Sequence, residues 1–206
     1  MENKFLVVGY YTLNTPYEKV FNDYLWASVK DKGLLWNFRG VISEGSWKKN
    51  TGLKPHILYE CLKELRDDKD RIVYLDADAT IEKFPSLFNE IPQEYDLACH
   101  FLDWKEWYGY EDSVKELLTG TLYIRKSDRI MALMRDWEEE SRSGEVWEQK
   151  ILQKLLKTTY SDIKVYPLPL EYCYITSLPN GDKPRVQCDP VISHHQVSRT
   201  LRKLIK

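Results

Sequence analysis

The sequence predicts an α/β sandwich with a mainly parallel central sheet. Short apolar runs typical of buried strands alternate with segments of helical periodicity through the first half of the chain. The 206 residues, of which 43% are hydrophobic and 30% charged, suffice for one domain with a sizeable core. We therefore expect a single domain over residues 1–206 with a basic tail at about 196–206.

The first half of the chain alternates predicted strands with predicted helices. The strands cover residues 5–8, 34–38 and 72–75. Thr15 as N-cap and Pro16 at N1 mark the start of the first helix, and Gly33 marks its end. Turn-forming residues predict a loop over 43–52. The next helix has its apolar face at Ile57, Leu58, Cys61, Leu62 and Leu65.

The second half is less regular. Predicted strands cover residues 96–101, 121–124 and 163–166. Ser127 caps a helix that Gly144 breaks, and a further helix turns Ile151, Leu152, Leu155 and Leu156 inward. The aromatic and acidic residues 103–118 are expected to form a loop or short helix, and prolines make 167–184 irregular.

The overall composition excludes several classes of protein. A net charge of -2 does not support bulk attraction to nucleic acid. The four cysteines form no CxxC pair, which favours reduced thiols and a cytoplasmic location over a zinc site or disulfides. No apolar stretch approaches the roughly 20 residues of a membrane span, and the apolar run at the N-terminus is too short for a signal peptide.

Two aspartates follow the most apolar predicted strand. Asp76 and Asp78 come directly after Ile72–Leu75, and ligands of parallel sheets bind beyond the carboxyl ends of the strands. Residues i and i+2 of extended chain point the same way, so these carboxylates repel each other unless solvent or a cation separates them. Mg²⁺ or Mn²⁺ prefers such oxygen ligands and keeps positions open for phosphate. The alternative is a turn or helix cap.

Further motifs occur in a fixed order around this pair. They are residues 54–58 (KPHIL), 73–78 (VYLDAD), 119–124 (TGTLYI), 148–149 (EQ) and 190–196 (PVISHHQ). The set resembles the GT-A type glycosyltransferases, the nucleotide-diphospho-sugar transferases, and within them the glycogenin-like group. The resemblance extends from residue 5 to about residue 200. Glu148 stands where these enzymes usually carry Asp, and the short chain implies a reduced acceptor-binding half.

The resemblance implies a GT-A (Rossmann-like) fold and a metal site. Asp76 is expected to touch the ribose or the metal, and Asp78 to bind the metal directly. One of His194 and His195 is expected to be the third protein ligand, because adjacent side chains in extended chain point in different directions. His194 is the preferred candidate. A mixed oxygen and nitrogen ligand set favours Mn²⁺ over Mg²⁺.

The same resemblance implies a nucleotide-sugar donor, with a UDP-sugar favoured. Tyr10, Tyr11 and Thr12 lie at the carboxyl end of the first strand, where they are candidates for binding the base and ribose. Lys54 is expected to reach a phosphate or the sugar. The cationic tail residues, of which Arg199 is the candidate clamp for the diphosphate, are Arg199, Arg202, Lys203 and Lys206. Ordinary packing and a solvated helix face are the alternatives.

The implied reaction moves a hexose or pentose to a hydroxyl acceptor. For inversion, Asp103 and Glu148 are the candidate bases. For retention, which similarity to the glycogenin-like group implies, Gln149 is expected to contact the sugar. The aromatic segment 103–110 is a candidate sugar platform or lid, with a packed flap as the alternative. The acceptor is left open between a glycan, a protein and a modified DNA base.

Two other classes of function fit the same frame. A nucleotidyl- or phosphotransferase also places acidic residues at a strand end, although the chain has no GxxxxGK[ST] loop. A non-catalytic nucleotide-sugar-binding module is the second alternative. Hydrolysis of the donor distinguishes an enzyme from such a module.

Overall fold

The computed structural model describes residues 3–66 and 69–202. The strands are β1 (Leu6–Thr12), β2 (Trp36–Val41), β3 (Arg71–Leu75), β4 (Ala79–Ile81), β5 (Leu97–Asp103), β6 (Lys115–Arg125), β7 (Val165–Pro167), β8 (Tyr174–Ile175) and β9 (Ile192–His194). The α-helices are α1 (Pro16–Phe21), α2 (Ala27–Asp31), α3 (Trp47–Gly52), α4 (Lys54–Lys63), α5 (Leu87–Glu90), α6 (Trp104–Tyr108), α7 (Asp128–Ser141), α8 (Glu148–Lys157) and α9 (Ser198–Leu201). A π-helical segment, Asn22–Trp26, joins α1 to α2.

Six strands form the central sheet in the order β2-β1-β3-β6-β5-β7. β6 runs antiparallel to both of its neighbours, and the other strands run in one direction. The prediction of a mainly parallel sheet is therefore confirmed. A smaller sheet in the order β4-β9-β8 lies beyond the end of β3.

Helices cover both faces of the central sheet. Successive strand residues point to opposite sides, so a strand that is apolar throughout has two faces to bury. On one face, Ile72 and Tyr74 pack with the apolar residues of α4, α7 and α8. On the other face, Val73 and Leu75 pack with the α1–α2 region, α5 and the small sheet. The result is the predicted three-layer sandwich.

The predicted helix starts match the structure in their capping residues. The Thr15 hydroxyl accepts a hydrogen bond from the Tyr17 N–H, and Pro16 is the first residue of α1. The Ser127 hydroxyl accepts from the Ile130 N–H at the start of α7. These contacts satisfy backbone donors that have no partner within the helix.

Several element boundaries were predicted wrongly. The predicted loop 43–52 contains α3, which the Ser46 side chain caps. The segment 103–118 contains a short helix, as predicted, at 104–108, but residues 115–118 belong to β6, which is longer than predicted. The stretch 167–184, predicted to be irregular, contains β8, and β4 and β9 were also missed. These three strands have two or three residues each, too few for a periodic pattern.

The structure gives the state of the cysteines and the character of the helices. Cys61, Cys99, Cys173 and Cys188 are all free thiols. Among the described residues, no helix has the length and apolar character needed to cross a membrane.

Candidate active site

The site lies at the carboxyl edge of the central sheet. β1 ends there at Thr12, and β3 ends there immediately before Asp76. The antiparallel β6 passes the same edge, where the Asp76 N–H donates to the Gly120 carbonyl at 2.9 Å. A cavity of about 340 Å³ opens at this edge. Its walls include Tyr10, Tyr11, Thr12, Lys54, Asp76, Asp78, Glu148, Gln149, His194 and Arg199.

Asp76, Asp78 and His194 form a compact ligand cluster. Each offers one potential ligand atom, and these atoms lie within 4.8 Å of one another. The small sheet brings them together, because β4 follows the aspartates and pairs Ala79 with His194. On the other side of the imidazole, Nε2 is 2.8 Å from the Thr121 hydroxyl, which fixes the ring. Two carboxylates and an imidazole are a donor set that fits a divalent cation such as Mn²⁺.

A backbone donor also orients the Asp78 side chain. Its Oδ2 atom accepts from the Val197 N–H at 2.9 Å, and its Oδ1 atom lies 3.9 Å from His194 Nδ1. Gln196 adopts a left-handed conformation with φ of 53°, which turns the chain between His194 and Val197. Such a conformation is uncommon for a residue other than glycine and is often found at functional sites.

His195 lies outside the ligand cluster. Its Nε2 atom is 2.9 Å from the Thr80 hydroxyl, and its ring stacks on Tyr24 with 4.3 Å between centroids. Burial lowers the pKa of His195, so its imidazole is neutral at physiological pH. The structure thus brings one histidine of the pair to the two aspartates and gives the other a packing role.

A buried lysine links the ligand cluster to the opposite part of the cavity. Lys54 is 2% exposed, and its Nζ atom lies 3.2 Å from Asp76 Oδ1 and 2.9 Å from Glu148 Oε1. It also donates to the Thr119 hydroxyl at 3.0 Å. Burial would lower the pKa of Lys54, but the two carboxylates raise it overall. The ammonium therefore stays charged between two anions.

Glu148 has one buried side-chain oxygen without a hydrogen-bond partner. Oε1 accepts from the Thr119 hydroxyl at 2.9 Å and pairs with Lys54, whereas Oε2 has no partner among the described residues. Trp137 holds the backbone, because its indole N–H donates to the Glu148 carbonyl at 2.8 Å. A buried carboxylate oxygen without a partner is costly. Oε2 is therefore a buried acceptor that the protein leaves unpaired beside the cavity that Glu148 lines.

Both ends of the Gln149 side-chain amide are hydrogen-bonded to the protein. Its Oε1 atom accepts from the Thr119 N–H at 3.2 Å, and its Nε2 atom donates to Glu116 Oε1 at 2.8 Å. Both ends of the amide therefore already have protein partners, and direct contact with a sugar requires one of these bonds to change.

Asp103 lies outside the cavity lining. Its Oδ1 atom accepts from the Lys105 N–H at 2.9 Å and caps α6, while Oδ2 accepts from the Ser113 hydroxyl. The bond from Ser113 contributes most to lowering the pKa of Asp103. The structure thus gives this predicted catalytic carboxylate a capping role.

The candidate nucleotide-binding residues have mixed surroundings. Tyr10 donates its hydroxyl to the Asn50 carbonyl at 2.8 Å, which makes it part of the wall. Tyr11 stacks on Phe21, with 4.3 Å between centroids, so one face of the Tyr11 ring is covered. Thr12 shares a hydrogen bond of 2.7 Å with the Thr15 hydroxyl.

The basic tail contributes two cations to the cavity wall. Arg199 and Arg202 both line the cavity, and Arg199 donates to the Ser177 carbonyl. Lys203 and Lys206, predicted to belong to the same tail, lie outside the described residues.

Other side chains at the site were not predicted. Tyr74 donates to Asp76 Oδ1 at 2.7 Å, and burial raises its pKa well above the usual value, so it remains a donor. Further cavity residues missed as site residues are Tyr17, Glu116, Thr119, Gln196 and Trp147. Thr119 and Gln196 belong to recognised motifs and Trp147 adjoins one, which was the only available signal; Tyr17 and Glu116 have no such signal in the sequence.

Comparison with known proteins identifies the family. A model of the nucleotide-diphospho-sugar transferases matches residues 61–203, more than half of the chain. The chain belongs to this family. The resemblance of its motifs to GT-A type glycosyltransferases is therefore confirmed. Membership favours glycosyl transfer over the nucleotidyl- or phosphotransferase alternative. No curated protein sequence matches the chain significantly.

Solved structures share the fold at low sequence identity. A glycosyltransferase involved in glycosylation of the major capsid of PBCV-1 has a TM-score of 0.67 and 12% identity, with 98% of each chain covered. Mouse xyloside xylosyltransferase 1 has a TM-score of 0.56 and 9% identity, covering 95% of this chain and 98% of that one. The bifunctional glycosyltransferase WbbM has a TM-score of 0.58 and 11% identity, and the match covers 46% of its chain. These similarities establish the GT-A fold.

Gly120 leaves space for the ligand cluster of this transferase. A Cβ atom at this position would lie 2.9 Å from His194 Cε1 and 3.3 Å from Asp76 Oδ2. We expect Gly120→Ala to weaken Mn²⁺ binding about 10- to 100-fold, because the methyl group displaces the imidazole. The change in Mn²⁺ affinity is measured by titrating Mn²⁺ and recording the rise in melting temperature. An unaltered melting temperature without metal shows intact folding, and an unaltered Mn²⁺ affinity would contradict the prediction.

Proposed function

We propose that this protein is a metal-dependent glycosyltransferase with a UDP-sugar as its favoured donor. The observation that carries the proposal is the cluster of Asp76, Asp78 and His194 at the carboxyl edge of the sheet. Family membership supplies the chemistry, the transfer of a sugar from a nucleotide diphosphate. The cluster supplies a place for the cation, with Mn²⁺ favoured over Mg²⁺.

Cations at this end of the cavity favour an anionic leaving group. A bound metal ion would offset the negative charge of the diphosphate. Arg199, whose guanidinium is a permanent cation, lines the same cavity and is proposed to bind a phosphate oxygen. Arg202 adds a second positive charge. Stabilisation of the departing diphosphate is then shared among several fixed groups.

The base and ribose are proposed to lie against the end of β1. Tyr11, Thr12 and Tyr17 line the cavity there and combine aromatic surface with hydroxyl groups. Tyr10, tied to Asn50, shapes the wall behind them. Asp76 is at the junction between this end and the metal cluster, which supports a role toward either the ribose or the metal.

Glu148 is proposed to face the transferred sugar. Its unpartnered Oε2 atom is an acceptor for a sugar hydroxyl, and its negative charge stabilises an oxocarbenium-like transition state. Lys54 and Thr119 hold the other oxygen, so the carboxylate is preorganised. Gln149 orients Thr119 and Glu116 and is proposed to approach the sugar only after exchanging one of those bonds. Asp103 has no part in this proposal.

Nucleotide-dependent stabilisation tests the donor half of the proposal. We expect UDP with Mn²⁺ to raise the melting temperature more than UDP alone or GDP with Mn²⁺, because a ligand that binds only the folded state stabilises it. Hydrolysis of UDP-hexoses and UDP-pentoses is then measured as release of UDP. It identifies the sugar and distinguishes an enzyme from a binding module. A response to GDP alone would change the donor, and no response to either nucleotide would reject the proposal.

A further inference from the structure

Two tryptophans meet at the wall of the cavity. Trp47 begins α3, and Trp147 immediately precedes α8. Their ring centroids are 5.8 Å apart with 55° between the planes, and both rings are half-buried and line the cavity. Their indole N–H groups make no hydrogen bond to the described residues, whereas Trp137 and Trp104 each donate to the protein.

The backbone around this pair is closely packed. A Cβ atom at Gly52 would lie 3.1 Å from the Ser141 carbonyl oxygen, so α3 approaches the end of α7 directly. Lys48 donates to the Glu145 carbonyl at 3.4 Å, across the same junction. The Trp147 carbonyl accepts hydrogen bonds within the first turn of α8. The backbone segments that carry the two rings are therefore held in place by these contacts.

A chain of contacts connects the metal cluster to the tryptophans. Asp76 belongs to the cluster and pairs with Lys54, which pairs in turn with Glu148. Glu148 is bonded through the backbone to Trp147, which contacts Trp47. A sugar transfer requires the diphosphate, the transferred sugar and the acceptor to lie in that order. This order would put the acceptor at the tryptophans.

The shape of the pair fits a sugar ring better than a nucleobase. The rings already touch each other, so a flat base cannot enter between them. The two planes meet at 55° at the cavity wall, so the pair offers apolar ring faces beside unpaired N–H donors. A pyranose has an apolar C–H face and hydroxyl groups at its rim, which match those two features.

We propose that Trp47 and Trp147 bind the sugar ring of a neutral glycoside acceptor. The inference rests on the proposed function and extends it to the acceptor, for which it commits to a carbohydrate. The tryptophans hold the ring while its hydroxyl faces the transferred sugar beside Glu148. Neither tryptophan belongs to the metal cluster, and we expect UDP binding to be independent of the pair.

Ligand-observed NMR tests the inference without requiring turnover. The probes are the methyl α- and β-glycosides of glucose, galactose, mannose and xylose, added to the protein with UDP and Mg²⁺, because Mn²⁺ is paramagnetic. We expect saturation transfer to at least one glycoside. Trp147→Ala should weaken that glycoside's binding about tenfold, the effect of losing about 1.4 kcal/mol of aromatic contact, and Trp147→Phe should restore part of it.

Controls separate this inference from the proposed function. Trp36→Ala changes an exposed tryptophan of β2 that does not line the cavity, and it should leave glycoside binding unchanged. UDP affinity should be the same in the native protein and in Trp147→Ala. Weaker UDP binding in Trp147→Ala would assign the pair to the nucleotide and overturn the inference. The inference would also be overturned if no glycoside bound, or if the native protein and Trp147→Ala bound it equally. Failure of the native protein to bind UDP would instead refute the proposed function itself.

Discussion

Asp78→Asn is expected to abolish metal-dependent UDP binding and to reduce sugar transfer about 100-fold or more. The two oxygens of the native carboxylate have different partners: Oδ2 accepts from the Val197 N–H, while Oδ1 faces His194. An Asn side chain can keep the bond to Val197 with its carbonyl oxygen. Its NH₂ group then points at the ligand cluster, and an amide N–H cannot bind a cation. The fold is retained while the metal site is lost.

Melting curves with UDP, in the presence and absence of Mn²⁺, measure the binding half of this prediction. Release of UDP from a UDP-sugar measures the catalytic half. Asp189→Asn is the matched control, because Asp189 is exposed and pairs with Lys83 at the surface. Its response to UDP and Mn²⁺ should equal that of the native chain. A native-like Mn²⁺-dependent shift in Asp78→Asn would refute the metal site.

The aspartates of this site could be predicted from sequence, but the choice of histidine could not be derived from pattern alone. A buried strand followed by Asp76 and Asp78 is a local signal. The position of His194 depends on the pairing of β4 with β9, two strands of three residues each. Strands this short show no periodicity, so the link between positions 79 and 194 is invisible before the chain folds. Extended-chain geometry predicted only that one histidine would bind.

The wall opposite the ligand cluster depends still more on tertiary structure. In the sequence, Lys54 is one of many charged residues, and its burial follows from the packing of α4 against the sheet. Asp103 was predicted as a candidate base because inversion needs a carboxylate near the acceptor, yet its local bonds make it a helix cap. Trp47 and Trp147 lie 100 residues apart, and their contact reflects the approach of α3 to the turn between α7 and α8. Propensity and periodicity place elements but do not place such contacts.

The role of Glu148, which stands where the related enzymes usually carry Asp, becomes clear only from its contacts. The resemblance implied Asp at this position, and the longer Glu side chain put the role of the residue in doubt. The structure shows that Oε1 reaches Lys54 and Thr119 while Oε2 is buried without a protein partner. The longer arm is therefore compatible with both a structural ion pair and a contact to the sugar, and neither role excludes the other.

Lys54→Met should reduce the free energy of unfolding by about 3–5 kcal/mol, because it leaves Asp76 and Glu148 without their shared cation. Glu148 bears most of this penalty, since it is 2% exposed and Asp76 is partly solvated. Methionine preserves most of the apolar length of the lysine, so the loss reports charge rather than volume. Urea denaturation of the ligand-free protein measures the change.

A second substitution identifies the source of that loss. Adding Glu148→Gln to Lys54→Met removes the uncompensated buried charge, so the double variant should unfold at a higher urea concentration than Lys54→Met alone. Lys63→Met is the control, because Lys63 pairs with Glu60 at the surface and its loss should cause no resolvable change. If Lys54→Met is no less stable than Lys63→Met, the carboxylates do not depend on the lysine. If the double variant is as unstable as Lys54→Met, the loss arises from packing and not from buried charge.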